Sequence, residues 1–478
     1  MTGLTEIAGT PRVGTNGSAL PPLERLGLLC DAGSLETIRS AVTAARQGAP
    51  ALPGDGVVAG TGRVGGRPVA CYAQDARFLG GSLGVAQAET IGRLLTLASR
   101  HRLPVVSLIE SGGARMQEGT AALCGYARIF RQNVHLSGRV PQVSVIAGLA
   151  AGGGSYSPAL TDFVVMTEDA AMFLTGPVVV RDVMGEDVEA RELGGRRVHE
   201  RNGVCDLVAP DDGSAVTLAR DLLGYLPQHA GGELPWRAAA AADRGDPGEG
   251  VPRSPRRVYD VRSVCDGIVD GGSFLELAPR WARNVVTALV RIEGRPVGVI
   301  ANQPRHLGGV LDTESSQKAA RFVDTCDAFG IPLVVLVDTP GFMPGVQQER
   351  AAVIRHGASL VRAFAAATVP RLTVVLRKAY GGAFIAMNSK DLGADLVFAW
   401  PQAEIGVMGA QAAAGIIHRR ELASADDPAM RRQALSEAYA REHLGAEVAA
   451  AGGFVDEVIE PCQTRIRLAG ALDLFAKR

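Results

Sequence analysis

Short apolar runs alternate with amphipathic stretches along most of the chain. The runs at 105–110 (VVSLIE), 142–149 (QVSVIAGL) and 163–166 (FVVM) are almost continuously apolar, which indicates strands buried on both faces. The stretches 87–102 and 315–330 instead repeat apolar residues at i, i+3/i+4 and i+7, a pattern typical of helices packed by one face. Strand, crossover helix and parallel strand in succession predict an α/β fold.

The same order of segments occurs twice. GRPVACYAQD from Gly66 returns as GRPVGVIANQ from Gly294, and RLPVVSLIESGG from Arg102 returns as GIPLVVLVDTPG from Gly330, both at an offset of 228 residues. A third pair, VPQVSVIAGLAAGGG and VPRLTVVLRKAYGGA, matches at an offset of 229. Three matches at offsets of 228 or 229 residues indicate an internal duplication.

We therefore predict two copies of one domain. The N-terminal copy is expected at 15–235 and the C-terminal copy at 258–478, after a flexible leader at 1–14. The segment 236–257, rich in Pro, Gly, Ala and charge, is expected to be a linker.

Charge and composition exclude several classes of protein. The 478 residues carry 49 Lys+Arg against 50 Asp+Glu, without the basic excess of a nucleic-acid or anionic-membrane binder. Seven cysteines without a CxxC pair favour a reducing compartment over a disulfide framework or a structural zinc site. The polar start lacks the apolar region of a signal peptide, and no apolar run reaches the roughly 18 residues of a membrane helix. We expect a cytoplasmic protein.

Common catalytic and metal-binding motifs give little guidance. The sequence has no GxxxxGK[ST] and no HExxH, and its eight histidines do not cluster with carboxylates at metal-ligand spacing. We therefore expect no metal in this chain.

Two glycine turns are the strongest candidates for chemistry. Ala151–Ser155 (AGGGS) and Tyr380–Phe384 (YGGAF) each follow a predicted buried strand and open a predicted helix. Glycine lets backbone N–H groups approach a ligand, and two N–H groups aimed at one oxygen stabilise an oxyanion. A single turn of this kind is more often a matter of tight packing, but two turns at matching positions favour a function.

A second pair of loops leaves the predicted strands just before these turns. They are Glu110–Arg115 (ESGGAR) and Asp338–Gly345 (DTPGFMPG), at the strand ends where ligands of α/β sheets bind. The basic pair Arg377–Lys378 also lies at a strand end, where it would either meet phosphate or be solvated.

Long ordered motifs between residues 54 and 460 resemble the carboxyltransferase (β) subunits of biotin-dependent acyl-CoA carboxylases, of the propionyl-CoA/acetyl-CoA carboxylase type. The motifs include SGGARMQEG, AAGGGSYSPALTDFVVM, TGPVVVRDVMGEDV, ARFVDTCDAFGIPLVVLVDTPGFMPG, RKAYGGAFIAM and AWPQAEIGVMGA. The resemblance implies two tandem crotonase-like (ClpP/crotonase) domains in one chain. It thereby also explains the duplication.

The resemblance implies an enzyme that moves a carboxyl group from carboxybiotin to the α carbon of an acyl-CoA through an enolate, with no protein side chain as base. By motif position, the N–H groups of Gly153 and Gly154 would hold the thioester oxygen, and those of Gly382 and Ala383 the biotin ureido oxygen. The further substrate-binding residues expected from these segments are Ser111, Gly112, Gly113, Ala114, Tyr156, Gly341, Phe342 and Ile385.

Departures from the family pattern bear on the substrate. Ile385 replaces the Asp of propionyl-type members, at a position associated with acyl-group choice, so a longer or branched acyl chain is expected. Arg350–Ala352 replaces an aromatic residue or His and two glycines beside the biotin-side loop, which reduces backbone freedom there.

The resemblance also implies partners. None of the four lysines is flanked by methionines as a biotinylated lysine would be, so a separate biotin carboxylase and biotin carrier α subunit is expected. The family further implies a homo-oligomer, usually a hexamer, with each site between the N-terminal domain of one subunit and the C-terminal domain of another.

Two other functions remain open at this stage. A biotin-independent decarboxylase of a malonyl-type acyl thioester needs the same enolate-stabilising turn. A non-catalytic assembly partner is the third hypothesis, and the retention of both glycine turns speaks against it.

Overall fold

The computed structural model describes residues 20–44, 52–252, 254 and 257–475. Contacts divide the chain into an N-terminal unit, Met1–Glu233, and a C-terminal unit, Leu234–Arg478. The predicted leader at 1–14 lies outside the described residues. Described residues near the predicted linker bind within the C-terminal unit: Arg237 N–H donates to Gly294 O over 3.1 Å.

The N-terminal unit is built on one eight-stranded sheet in the order β1-β2-β3-β4-β5-β6-β8, with β7 paired to β5. The β1–β2 and β2–β3 pairs are antiparallel, and the remaining pairs are parallel. The strands are β1 (Glu36–Ile38), β2 (Val57–Val64), β3 (Arg67–Gln74), β4 (Val105–Ser111), β5 (Gln142–Ala151), β6 (Phe163–Thr167), β7 (Ala171–Phe173) and β8 (Leu207–Ala209).

The helices of this unit include the crossovers that connect its parallel strands. They are α1 (Pro22–Leu29), α2 (Val85–His101), α3 (Thr120–Leu136), α4 (Gly153–Ala159), α5 (Pro177–Met184), α6 (Ala190–Gly194), α7 (Arg196–Asn202) and α8 (Asp212–Tyr225). The apolar faces of α2 and α3 pack with β2–β4 in one core cluster.

The C-terminal unit repeats this sheet with the order β16-β14-β13-β12-β11-β10-β9, and β15 pairs with β13. The β9–β10 and β10–β11 pairs are antiparallel and the rest parallel. Its strands are β9 (Leu275–Leu277), β10 (Val285–Ile292), β11 (Arg295–Asn302), β12 (Leu333–Thr339), β13 (Arg371–Tyr380), β14 (Leu396–Ala399), β15 (Glu404–Gly406) and β16 (Glu457–Val458).

The helices of the C-terminal unit extend further after the last long strand than those of the N-terminal unit. They are α9 (Arg262–Cys265), α10 (Thr313–Ala328), α11 (Val346–Arg350), α12 (Val353–Ala366), α13 (Gly381–Ala386), α14 (Ala410–Ile417), α15 (Arg419–Ala423), α16 (Pro428–Tyr439), α17 (Ala446–Ala451) and α18 (Thr464–Phe475).

The predicted α/β fold and its internal duplication are confirmed. All seven residues of β4 and all seven of β12 are buried, as their continuous apolar runs predict. Both strands also shift register against the next strand just before they end, between Ile109 and Ser111 and between Val337 and Thr339. The two copies therefore share this register shift as well. It lies at the C-terminal ends of the parallel strands, where ligands of such sheets bind.

The predicted crossover helices at 87–102 and 315–330 correspond to α2 and α10. A capping box starts α10: Asp312 accepts a hydrogen bond from Ser315 N–H over 2.9 Å, and Ser315 Oγ accepts one from Asp312 N–H over 2.8 Å. Among the described residues, no helix has the length and apolar character needed to cross a bilayer. The cytoplasmic location stays a prediction.

Candidate active site

The first glycine turn joins β5 to α4. Gly152 has a φ of +56°, a conformation that favours glycine, and its N–H donates to Phe173 O of β7 over 3.0 Å. Gly153 and Gly154 then form the start of α4, where the helix offers their N–H groups no acceptor. The turn thus presents two adjacent N–H groups at the end of a buried strand.

The second glycine turn joins β13 to α13 in the same way. Gly381 has a φ of +59°, and a Cβ there would come within 3.2 Å of Val407 O. Gly382 is exposed, whereas the methyl group of Ala383 is buried. The N–H groups of Gly382 and Ala383 lie in the first turn of α13, so this turn also presents two donors.

An aromatic ring lies against each turn, but from a different element in each unit. In the N-terminal unit, a Cβ on Gly153 would meet the ring of Tyr126, from α3, at 2.6 Å. In the C-terminal unit, a Cβ on Gly382 would lie 3.7 Å from the ring of Phe342, which follows β12. The first turn therefore requires glycine for steric reasons, and the second has room for a methyl group.

The loop after β4 is fixed to the segment before α2. Gly112 N–H donates to Gly80 O over 2.8 Å, and Ala114 forms an isolated parallel bridge with Leu83. Gly113 has a φ of +97°, and its N–H donates to Ser111 Oγ over 3.3 Å. This pins the loop beside the first turn, where a Cβ on Gly154 would lie 3.0 Å from Ser111 Cβ.

The loop after β12 repeats this arrangement. Gly341 N–H donates to Thr339 Oγ1 over 3.3 Å, as Gly113 N–H does to the equivalent Ser111. Phe342 forms an isolated parallel bridge with Leu311, as Ala114 does with Leu83. The structure thus brings Ser111, Gly113, Gly153 and Gly154 together in one unit, and Gly341, Phe342 and Gly382 together in the other.

Tyr156 and Ile385 occupy equivalent positions, one turn into α4 and α13. Their exposed fractions are 50% and 51%, which is high for large apolar side chains beside a candidate site. The ring of Tyr156 meets Phe130 edge-on at 5.8 Å between centroids. Both side chains can therefore contact a ligand seated on their own turn.

A buried carboxylate precedes each loop, and an arginine neutralises it. Arg25 Nη2 of α1 lies 3.0 Å from Glu110 Oε2 and 2.7 Å from the acceptor Gln74 O. Burial still raises the pKa of Glu110, although Arg25 opposes that change. A Cβ on Gly148 would meet Glu110 Oε1 at 2.5 Å, so the carboxylate occupies the space of a missing side chain.

In the C-terminal unit Arg377 binds the equivalent carboxylate, which corrects the expectation that Arg377 meets phosphate or solvent. Its Nε lies 2.8 Å from Asp338 Oδ2, and its side chain is 3% exposed. Its Nη1 donates to the carbonyls of Pro252, Ser254 and Arg257. Arg377 therefore anchors the chain segment before α9 rather than a ligand.

Lys378 also faces Asp338, at 3.7 Å between Nζ and Oδ1. Burial lowers the pKa of Lys378, and the Asp338 carboxylate opposes this. Two residues on, the hydroxyl of Tyr380 donates to Glu404 Oε2, and burial raises the pKa of this phenol. The equivalent residues of the N-terminal unit, Leu149 and Ala151, are apolar.

Arg115 of the SGGAR segment is fully buried and binds inside the unit. Its Nη1 lies 2.8 Å from Asp55 Oδ1 and 3.0 Å from Glu118 Oε1. These carboxylates accept hydrogen bonds from the first-turn N–H groups of α2, over 2.6 Å from Val85 and 3.2 Å from Gln87. Arg115 therefore joins the loop after β4 to the start of α2.

Each glycine turn has a helix with exposed apolar side chains nearby. In the N-terminal unit this helix is α5, which follows β7, and in the C-terminal unit it is α14, which follows β15. The exposed apolar side chains are Leu174, Val178, Val179, Val183 and Met184 around α5, and Val407, Ile416 and Ile417 around α14. The two segments are near their turns because β7 pairs with β5 and β15 pairs with β13. Matching exposed faces of this kind are typical of surfaces that another chain covers.

Sequence reasoning missed Tyr126, Arg25 and the role of Arg115. Tyr126 lies on the buried face of α3, where its spacing is that of an ordinary core residue. For Arg25 the sequence does carry a signal. This charged residue lies on the otherwise apolar, buried face of α1, and a buried charge requires a partner. Within the described part of the chain, no group of three His, Cys, Asp or Glu side chains could hold a metal ion.

Comparison with known proteins identifies the family. The family described as carboxyl transferase domain matches residues 16–478. The chain is 49% identical over 434 residues to the methylmalonyl-CoA carboxyltransferase 12S subunit of Propionibacterium freudenreichii subsp. shermanii, covering 89% of this chain and 82% of that protein. It is 46% identical over 476 residues to the propionyl-CoA carboxylase beta chain of Saccharopolyspora erythraea, covering 95% and 87%.

A solved structure extends the match to the fold. The transcarboxylase 12S crystal structure with methylmalonyl-CoA and methylmalonic acid bound has a TM-score of 0.93 and 46% identity, over 96% of this chain and 90% of that chain. The fold expected from the motifs, two tandem crotonase-like domains, is confirmed. The chain belongs to the carboxyl transferase family, as a carboxyltransferase β subunit of the biotin-dependent acyl-CoA carboxylase type.

Proposed function

We propose that this chain transfers a carboxyl group from carboxybiotin to the α carbon of an acyl-CoA, with charge held by backbone N–H groups in both units. The observation that carries the proposal is the pair of glycine turns at equivalent positions, each with two N–H groups in the first turn of a helix. The family match over residues 16–478 supports the class of reaction.

In the N-terminal unit, Gly153 and Gly154 would donate to the thioester oxygen of the acyl-CoA. That oxygen gains negative charge when the α proton leaves and the enolate forms, so donors fixed beforehand stabilise the transition state. Removing one such donor costs about 2.7–4 kcal/mol in known cases. The pinned loop of Ser111, Gly112, Gly113 and Ala114 would form the wall beside this oxygen.

In the C-terminal unit, Gly382 and Ala383 would donate to the ureido oxygen of the biotin group. The exposure of Gly382 and the absence of steric crowding above it suit a planar ring that approaches from solvent. The ureido oxygen of this ring would gain negative charge when the carboxyl group leaves the ring nitrogen as CO₂, and two fixed N–H donors would stabilise that charge. Carboxybiotin supplies the carboxyl group as a substrate carried by another protein. Gly341 and Phe342 would position the biotin ring against the turn.

One residue of the C-terminal unit bears on the acyl group of the substrate. Ile385 presents a half-exposed, β-branched side chain beside the second turn. In a site shared between the N-terminal domain of one subunit and the C-terminal domain of another, this side chain would also face the acyl group and would favour one longer or more branched than propionyl. The similar proteins are named for methylmalonyl-CoA and propionyl-CoA. A panel of acyl-CoA acceptors that tests this must therefore include propionyl-CoA as well as longer and branched acyl groups.

We also propose two kinds of protein partner. A biotin carboxylase and biotin carrier α subunit would deliver carboxybiotin, because no lysine here has the methionine flanks of a biotinylation site. A homo-oligomer would cover the exposed apolar segments around α5 and α14. The transcarboxylase 12S structure that this chain resembles is described as a hexamer assembly, which supports a hexamer here.

The experiment is incorporation of ¹⁴C-bicarbonate into acetyl-, propionyl-, butyryl- and branched acyl-CoA. It uses the full chain with ATP and a biotinylated α subunit from the same genome. Acid-stable label in an acyl-CoA product would support the proposal and identify the acyl group. Loss of CO₂ from malonyl- or methylmalonyl-CoA without biotin, and no label, would favour the decarboxylase, which no comparison favours.

A further inference from the structure

Three segments of the N-terminal unit meet at the hydroxyl of Ser111. Ser111 Oγ lies 2.9 Å from the hydroxyl of Tyr126 on α3, and it accepts a hydrogen bond from Gly113 N–H over 3.3 Å. A Cβ on Gly154 would lie 3.3 Å from Ser111 Oγ and 3.4 Å from the Tyr126 hydroxyl. The two hydroxyls therefore lie directly behind the glycine turn.

The ring of Tyr126 is closely packed beside the turn. It is 5% exposed, and it packs against Phe130 with 5.7 Å between ring centroids. Phe130 in turn meets Tyr156 of α4. The ring fills the space that a side chain on Gly153 would need, so a shift of either one displaces the other.

The phenol of Tyr126 stays protonated at every pH used for an assay. Burial raises the pKa of Tyr126 to about 12, while the hydrogen bond with Ser111 opposes that rise. A neutral hydroxyl can fix the position of Ser111, but it is a poor proton acceptor. Its contribution is therefore one of geometry rather than of acid–base chemistry.

The C-terminal unit shows that the fold does not require this hydroxyl. The equivalent turn packs on Phe342, which has no hydroxyl, and Thr339 occupies the position of Ser111. Thr339 Oγ1 lies 3.3 Å from Gly341 O and accepts from Gly341 N–H over 3.3 Å. The same turn therefore forms on a ring alone, and the Tyr126–Ser111 hydrogen bond is an addition specific to the N-terminal unit.

We propose that Tyr126 is a positioning residue for carboxyl transfer, which sets the Gly153–Gly154 N–H pair through its ring and through Ser111. The proposal rests on the proposed function, in which this pair holds the thioester oxygen. Displacement of the pair by a few tenths of an ångström would weaken its hydrogen bonds most in the enolate-like transition state. The loss is therefore expected in kcat rather than in the KM for acyl-CoA.

The experiment compares Tyr126→Phe, Ser111→Ala and the double variant in the reconstituted ¹⁴C assay. Each single variant is expected to lower kcat about tenfold, the rate equivalent of one hydrogen bond, with KM within about twofold. Because both residues act through one hydrogen bond, the double variant should lose no more than about threefold beyond either single variant.

A matched control separates positioning from general loss of packing. Ser144→Ala removes a buried hydroxyl that bonds to Ser107 at 2.8 Å and to Thr161 at 3.0 Å, away from the turn. It should lower the thermal midpoint as much as Ser111→Ala does and leave kcat unchanged. The pH profile of Tyr126→Phe should run parallel to that of the wild type, since the phenol does not titrate in the assay range.

Hydrogen exchange of the backbone amides at 152–156 provides a readout that needs no turnover. Faster exchange there in Tyr126→Phe would support positioning of the turn even if the wild type transfers no carboxyl group, which would count only against the proposed function. Unchanged kcat and unchanged exchange in Tyr126→Phe would overturn the inference. Multiplicative losses in the double variant would likewise overturn the route through Ser111.

Discussion

The two units build the same glycine turn on different supports. In the N-terminal unit a tyrosine from α3, the helix before β5, lies against the turn, and a buried arginine joins the loop after β4 to the start of α2. In the C-terminal unit a phenylalanine from the loop itself lies there, and Met343 stands at the position of Arg115. The N-terminal turn is thus tightly enclosed, and the C-terminal turn is open.

This difference fits the two ligands proposed for the turns. An enolate oxygen carries charge only transiently, and fixed donors at a crowded site stabilise it without reorganisation. A biotin group that arrives on another protein needs an exposed turn, and Gly382 is exposed. The duplication therefore supplied one backbone geometry, and the side chains around the two turns differ in the way that the two proposed ligands require.

Arg115→Ala should give the largest effect on stability. It removes the cation that pairs with the buried Asp55 carboxylate and with the half-buried Glu118 beside it, and breaking a buried pair costs about 3–5 kcal/mol in the free energy of unfolding. Urea unfolding monitored by circular dichroism is the measurement. Arg77→Ala is the control, because Arg77 pairs with Asp75 at a side-chain exposure of 62%, where about 1 kcal/mol or less is expected. Equal losses in the two variants would contradict the assignment.

Gly153→Ala and Gly382→Ala make the same change at equivalent positions and should differ. A methyl group at Gly153 meets the buried ring of Tyr126, so about 1–3 kcal/mol of stability and at least tenfold in kcat should be lost. The methyl group at Gly382 lies 3.7 Å from Phe342, an ordinary contact, and the variant should keep both. Thermal unfolding and the ¹⁴C assay test the pair, and similar behaviour of the two variants would refute the contrast in crowding.

Ala352→Gly should give the smallest effect, and in the opposite direction. Ala352 precedes α12 with a φ of +59°, whereas Gly119 precedes α3 in the N-terminal unit with a φ of +54°. Removing the Cβ from a left-handed residue should raise the free energy of unfolding by about 0.5–1 kcal/mol. Ala351→Gly, at a φ of −81°, is the control and should lower it. A loss of stability in Ala352→Gly would contradict the strain at this position.

Much of the fold was predictable because its signals are local and repeated. The continuous apolar runs identify β4, β5, β12 and β13, and the repeat offset pairs them correctly between the two copies. The glycine turns were found for the same reason. The positions expected for the turns, between a buried strand and a helix, are confirmed, while the ligand roles of their N–H groups stay proposals.

The residues that support the site were not predictable, because their partners are distant in the sequence. Arg25 lies 85 residues from Glu110, and Tyr126 lies 15 residues from Ser111 on a helix whose pattern indicates only a core face. The expectation for Arg377 was wrong because its three carbonyl acceptors come from a segment at least 120 residues away. Such pairings follow from packing in three dimensions, which periodicity does not encode.

The most direct test of the account is the rate of ¹⁴C incorporation by Gly382→Pro beside Gly382→Ala. Proline removes the N–H at a first-turn position that tolerates its ring, whereas alanine keeps the N–H and fits beside Phe342. The account predicts that the proline variant folds and loses about a hundredfold or more in kcat, while the alanine variant retains its rate. A folded Gly382→Pro enzyme with wild-type turnover would contradict the claim that backbone N–H groups hold the reacting charge.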